Sequence, residues 1–339
     1  MKTKHNAGYL SALGCIVVAL ALMMLSNGSN ALVQQQPQLQ SMSNRTAFDI
    51  GKPIKDLSFR IDNITFSHHT ASVNGIRMHY VIGGHGNPVV LLHGWPETWY
   101  EWRHVMPALA KNYTVIAPDL RGLGDSSKPT TGYDSDTTAK DIYQLVSQLQ
   151  LGKKIYLVGH DVGVHTAYSY ASAYPNNVSK LVILDVPVIG FYPPGFKNCC
   201  WWFSFHQTPD LPEALTAGKE REYLSWFYTT FAYNPYAITQ TDVDEYVRHY
   251  SAPGGMRAGF EYYRAFPITE EQNKVHASVK LPMPVLALGG EYAGRTAALT
   301  SMKSLATNVS GGIVPLSGHW IAEERPDFLI KELTKFFSK

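Results

Sequence analysis

Cysteine is scarce in this sequence: three residues in 339, at Cys15, Cys199 and Cys200. That excludes a disulfide-stapled scaffold. The adjacent pair Cys199 and Cys200 is expected as two thiols at a helix start, with a vicinal disulfide as the alternative. Runs of one charge sign are missing as well. The 29 Lys+Arg and 27 Asp+Glu are interspersed and sum to +2, so no basic stripe tracks a polyanion and nucleic acid is not an expected partner. There are no internal repeats. Long apolar runs are absent except for one, at the N-terminus.

That run, the 17 residues Tyr9 to Leu25, follows Lys2, Lys4 and His5 and precedes small and polar residues around Ser29-Asn30-Ala31. A positive end, an apolar middle and a small-residue cleavage region make a secretory signal, so residues 1–31 are expected to be removed. The mature chain is then secreted or periplasmic and has no membrane partner; an uncleaved anchor is the alternative. Residues 32–62, Gln- and Ser-rich at first, are expected as linker and N-terminal coil. The N-x-[ST] triplets at Asn63 and Asn177 matter only in a eukaryotic host.

What is present suits one large domain with an insertion: 45% hydrophobic and 17% charged residues are enough for a sizeable core. Ile64-Thr65-Phe66, Ile76 to Ile82 and Val89 to Leu92 are expected as strands, the first two joined by an Asn74-Gly75 hairpin. Strands and helices then alternate: Tyr113 to Ala117, a helix over Thr138 to Gln150, Ile155 to Val158, a helix over Val162 to Tyr174, and Leu181 to Leu184. The pattern resumes at Val285 to Leu288, followed by a helix near Thr296 to Ala306, a strand Gly312 to Pro315 and a last helix to Phe337. This is an α/β chain with a mostly parallel sheet and helices on both faces. Its core is expected over residues 63–186 and 280–339. The aromatic-rich, helical stretch 187–279 interrupts it as a lid over the strand ends, where ligands of such sheets bind.

Gly159-His160-Asp161-Val162-Gly163 sits between a strand and a helix. That is a nucleophile elbow with aspartate in the middle position. Capping of the following helix is the plainer use of an aspartate there. A serine nucleophile acylates at carbonyl carbon. An aspartate displaces a leaving group at saturated carbon, and water can then cleave the resulting ester at its own carbonyl. Epoxides and alkyl halides are the substrates this chemistry selects. The water needs a base, and His319 in Gly318-His319-Trp320 follows the last strand, where a late histidine is expected. His68, His69 and His160 are expected at the surface or in supporting roles. Two carboxylates could orient His319: Asp185, directly at a strand end and preferred, and Glu291. The backbone N–H groups of Trp95, in His93-Gly94-Trp95-Pro96, and of Val162 are the expected oxyanion donors.

From about residue 70 onward these features resemble the epoxide hydrolase and haloalkane dehalogenase branch of the α/β-hydrolases. His93 to Arg103 (HGWPETWYEWR), Ala117 to Ser126 (APDLRGLGDS) and GHDVG look especially like epoxide hydrolases. The Asp161-to-Asp185 spacing, AGKE at Ala217 to Glu220 and FEYYRA at Phe260 to Ala265 resemble the secreted Cif-type enzymes. The resemblance implies Asp185 as the acid and Tyr263 as the hydroxyl that protonates the leaving epoxide oxygen. A second donor would fall at Trp202, which can donate but not transfer a proton, or at His206 one turn on. Arginines that hold a haloacid carboxylate are replaced by Val162 and His165, and the tryptophan of haloalkane dehalogenases by Val162. A small-molecule epoxide is therefore the expected partner, with no metal and no organic cofactor, and a homodimer is left open. Haloalkane or haloacid dehalogenation is the runner-up, followed by a non-catalytic binding protein on the same fold.

Overall fold

The computed structural model describes residues 58–152, 154–194 and 200–338. Among them, the strands are β1 (Ser58–Ile61), β2 (Ile64–Val73), β3 (Ile76–Gly84), β4 (Asn87–Leu92), β5 (Tyr113–Pro118), β6 (Ile155–His160), β7 (Val178–Leu184), β8 (Val285–Gly290) and β9 (Val309–Val314). They form one sheet in the order β1-β2-β3-β5-β4-β6-β7-β8-β9. β1, β2 and β3 pair antiparallel, and β3 pairs antiparallel with β5. All pairings from β5 through β4 to β9 are parallel. Asn74 (φ 42) and Gly75 (φ 82) take the two left-handed positions that a tight hairpin between β2 and β3 requires.

The central strands are apolar on both faces because both are covered. Along β4, Val89 and Leu91 enter one buried cluster while Val90 and Leu92 enter the other. Val158 and Val182 join the first cluster, and Leu157, Leu181 and Ile183 the second. Two layers of side chains thus clamp the sheet, which holds the carboxyl ends of β4, β6, β7 and β8 at fixed spacing.

Several expectations change. β1 lies inside the stretch 32–62 expected as linker and coil. Phe59 packs on Phe66 and Trp99 at ring distances of 6.0 and 5.5 Å, and pairing with β2 orders a segment too short to show a pattern by itself. The strand expected from Gly312 begins at Val309, because Gly311 and Gly312 interrupt its apolar signal but not its pairing with β8. The helix expected from Thr138 starts at Ser135, where the Asp134 carboxylate caps the Thr137 N–H at 3.1 Å. Cys200 is disulfide-bonded, not a free thiol. The signal at 1–31 and residues 32–57 lie outside the described residues. No described helix is long and apolar enough to cross a membrane.

Between β7 and β8 run helices Trp201–Gln207, Leu211–Thr216, Glu220–Thr230, Gln240–Tyr250, Gly255–Arg264 and Phe266–His276. Tyrosine hydroxyls tie them to the sheet's loops. Tyr228 donates to the Pro96 carbonyl (2.6 Å), Tyr250 to that of Glu97 (3.0 Å) and Tyr262 to that of Arg121 (2.9 Å). Buried tyrosines need such partners, so these bonds fix the insertion over the strand ends instead of merely covering it.

Leu91, fully buried in β4, tests the sheet core. Leu91→Ala is expected to lower the unfolding free energy by about 2–5 kcal/mol in urea titrations. A loss under about 0.5 kcal/mol would contradict this packing.

Candidate active site

β6 ends at His160 and a helix starts at Val162, so the chain must reverse at Asp161. Asp161 does this with φ 47 and ψ −118, a conformation disfavoured for any residue with a Cβ. The glycines two positions either side make it feasible. A Cβ at Gly159 would lie 2.5 Å from the Gly163 carbonyl oxygen, and one at Gly163 would lie 2.4 Å from that of Leu92. The turn aims the Asp161 side chain away from its own helix, which it does not cap. Its Oδ1 instead accepts the Trp95 N–H at 2.9 Å.

His319 arrives from the loop after β9. Its own N–H is held by the Phe231 carbonyl at 2.7 Å. Nε2 stands 3.7 Å from Asp161 Oδ2, and Nδ1 stands 2.5 Å from Asp185 Oδ2. The other oxygen of Asp185 accepts the N–H groups of Gly290 (2.8 Å) and Gly294 (3.0 Å), so the carboxylate is fixed before it meets the imidazole. Glu291, the alternative, accepts the Leu316 N–H at 3.0 Å instead. Asp161, His319 and Asp185 thus form one chain of contacts. Val162, first residue of its helix, carries an N–H that the helix itself leaves unused.

A cavity opens above Asp161, bordered by Val162, His165, Tyr192, Phe203, Tyr263 and Phe266 among others. Tyr263, on helix Gly255–Arg264, is buried. Burial, and then the charge of Asp161, hold its pKa well above the ordinary tyrosine value, with the Trp202 indole N–H acting the other way. The phenol therefore keeps its proton and faces a carboxylate across the cavity.

Trp95 supplies its backbone N–H to Asp161, and its indole packs on His206 (4.8 Å) and Phe227 (4.9 Å). Of the two candidates for a second donor, Trp202 stands outside the lining, against Phe231 at 4.9 Å, with its indole N–H toward Tyr263. His206 does share a helix with Trp202, but that helix turns it into the packing behind Tyr263. Its Nε2 is 2.6 Å from the Tyr223 hydroxyl, and burial followed by Arg264 pushes its pKa down to about 3. It is a neutral ring whose Nε2 is already engaged, and it does not reach the cavity. Tyr192, Phe203 and Phe266 were not anticipated; the sequence marks His165 only as standing where dehalogenases place an arginine.

His160, expected at the surface or in a supporting role, is buried directly beneath. Nδ1 lies 3.1 Å from Glu101 and 3.6 Å from Glu97, and Nε2 donates to the His319 carbonyl at 3.0 Å. Burial alone would lower its pKa, but Glu101 and Glu97 more than offset that and hold it well above the usual value. Glu101 also accepts the Gly94 N–H at 2.9 Å, next to the Trp95 donor. His79, Asp119 and Asp125 form a second His/carboxylate cluster, with His79 2.7 Å from Asp119. In both clusters a histidine ring nitrogen faces the carboxylates.

This sheet, helical insertion and elbow define an α/β-hydrolase. The family model described as "alpha/beta hydrolase fold" matches residues 87–326, and the chain belongs to that family. It is 43% identical over 281 residues to the soluble epoxide hydrolase of Corynebacterium sp. (strain C12), covering 80% of this chain and 97% of that one. Among solved structures, epoxide hydrolase CorEH without ligand superposes with a TM-score of 0.75 at 42% identity, over 80% of this chain and 99% of that one. The Cif epoxide hydrolase from Acinetobacter nosocomialis does so with a TM-score of 0.75 at 29% identity, over 80% and 88%.

His160→Ala removes the cation between two buried carboxylates and is expected to cost about 3–5 kcal/mol of stability at neutral pH. Urea unfolding measures it. A loss under about 1 kcal/mol would mean that the cluster carries no buried ion pair.

Proposed function

We propose that this protein is an epoxide hydrolase that opens an epoxide to a vicinal diol through an Asp161 ester. The observation that carries the proposal is the opposition of Asp161 and Tyr263 across one cavity, with His319 3.7 Å from the carboxylate. A carboxylate on one side and a protonated phenol on the other suit a substrate whose carbon is attacked as its oxygen leaves.

Asp161 Oδ2 attacks an epoxide carbon, the ring C–O bond breaks, and the electron pair passes to the epoxide oxygen. Tyr263 supplies the proton to that alkoxide and is left as the phenolate. Oδ1, already bonded to the Trp95 N–H, becomes the ester carbonyl oxygen. His319 Nε2 then takes a proton from water, and the hydroxide attacks the ester carbon. Charge developing on Oδ1 is met by the N–H groups of Trp95 and Val162. Collapse of the tetrahedral intermediate breaks the ester C–O bond; the departing oxygen takes the proton from the His319 imidazolium, which Asp185 stabilises, and the proton left on the Asp161 carboxyl returns through water to the Tyr263 phenolate. Helices of the stretch 187–279 act as the lid, since one of them carries Tyr263. The reaction calls for no metal and no organic cofactor.

A dehalogenase would use the same Asp161 but needs no proton for a departing halide. Offering the purified protein epoxides and alkyl halides is expected to yield diol; halide without diol would overturn the proposal. In a single turnover in heavy-oxygen water, the first diol is expected to carry unlabelled oxygen from Asp161, and label in that diol would exclude the ester. Tyr263→Phe is expected to lower kcat for diol formation by roughly a hundredfold or more. A loss under about threefold would take Tyr263 out of the proton transfer.

A further inference from the structure

The cavity holds a polar side chain that the proposed reaction leaves idle. His165 borders the same space as Asp161 and Tyr263, and the remaining lining is apolar apart from Tyr192. Among the described residues, no Lys or Arg borders it. The His165 ring stands edge-on to Phe266 at 5.8 Å, with Nδ1 buried and without a hydrogen-bond partner among the described residues. The residue as a whole is only partly buried, so its accessible edge is the one toward the cavity.

Burial pushes the His165 pKa down to about 4 against the opposing charge of Asp161, so the ring is neutral and carries one N–H. Two arguments place that N–H on Nε2. A donor sealed at Nδ1 would have nothing to bond, whereas one facing the cavity can meet a ligand. The Asp161 carboxylate, on the same cavity, also favours a donor over a lone pair turned its way.

We propose that His165 is a specificity-determining residue whose Nε2–H donates to an acceptor oxygen on the substrate. The preferred substrates are then uncharged epoxides with an ether, carbonyl or hydroxyl oxygen a few bonds from the ring. A carboxylate is disfavoured, because it would face Asp161 with no Lys or Arg among the described lining residues to balance it. This assignment rests on the epoxide hydrolysis proposed above.

Glycidyl methyl ether and epoxypentane have nearly the same shape and differ by an ether oxygen in place of a methylene. The wild-type enzyme is expected to show a kcat/KM roughly fivefold or more higher for the ether. His165→Leu is expected to abolish that preference, and His165→Gln, which restores an N–H donor, to keep part of it. Because each ratio is taken within one preparation, a partly misfolded variant does not distort it. Equal kcat/KM values in the wild type, or a preference untouched by His165→Leu, would overturn the role of His165 while diol formation upholds the hydrolase. Diol from neither compound would overturn both.

Discussion

The site depends on one backbone constraint: a non-glycine residue, Asp161, held at φ 47 where β6 meets its helix. Such a conformation costs on the order of 1–3 kcal/mol and survives only where packing leaves no alternative. Gly163 lies so close to the Leu92 and His93 carbonyls that β4 and the helix cannot separate without opening the core. The same contact brings the Trp95 N–H within 2.9 Å of the carboxylate, so the strain that exposes Asp161 also delivers its first hydrogen-bond donor.

Around that turn lies a buried layer of charge that joins sheet and insertion. His160 sits between Glu101 and Glu97 and reaches the His319 carbonyl. Burial and the neighbouring Glu101 push the Glu97 carboxyl above the usual glutamate range. Tyr246, from the insertion, donates to Glu323 at 2.6 Å, and Glu323 pairs with Arg103 at 2.5 Å. Burying so many ionisable groups is expensive unless each has a partner. Their partners here come from both the sheet loops and the insertion, so the insertion cannot shift without exposing unpaired charge. That rigidity holds Tyr263 opposite Asp161.

Much of this was legible locally. The glycines flanking Asp161, the Asn74-Gly75 hairpin and the alternation of strands and helices are short-range patterns with direct physical meaning. His319 was legible from its position after the last strand. Choosing between Asp185 and Glu291 was harder, since each follows a strand end; the deciding contacts come from Gly290 and Gly294, more than a hundred residues beyond Asp185. Trp202 and His206 stood one turn apart as alternatives, but the rotation of their helix depends on how Trp95, Phe260 and Tyr263 fill the space beneath. No periodicity encodes that rotation.

The sequence alone determined that an aspartate stands at an elbow and that a histidine follows the last strand, because residue type and chain order can be read without the fold. It also determined that the sheet is mostly parallel and covered on both faces, since apolar strands alternating with helices have few other ways to bury themselves. Only the tertiary structure decided which carboxylate meets His319, that His206 lies behind Tyr263 instead of facing the cavity, that His160 is buried among carboxylates, and that His165 lines the pocket. Those outcomes depend on contacts between residues far apart in the chain. There, packing and the need to pair every buried charge select one arrangement among several that local pattern permits.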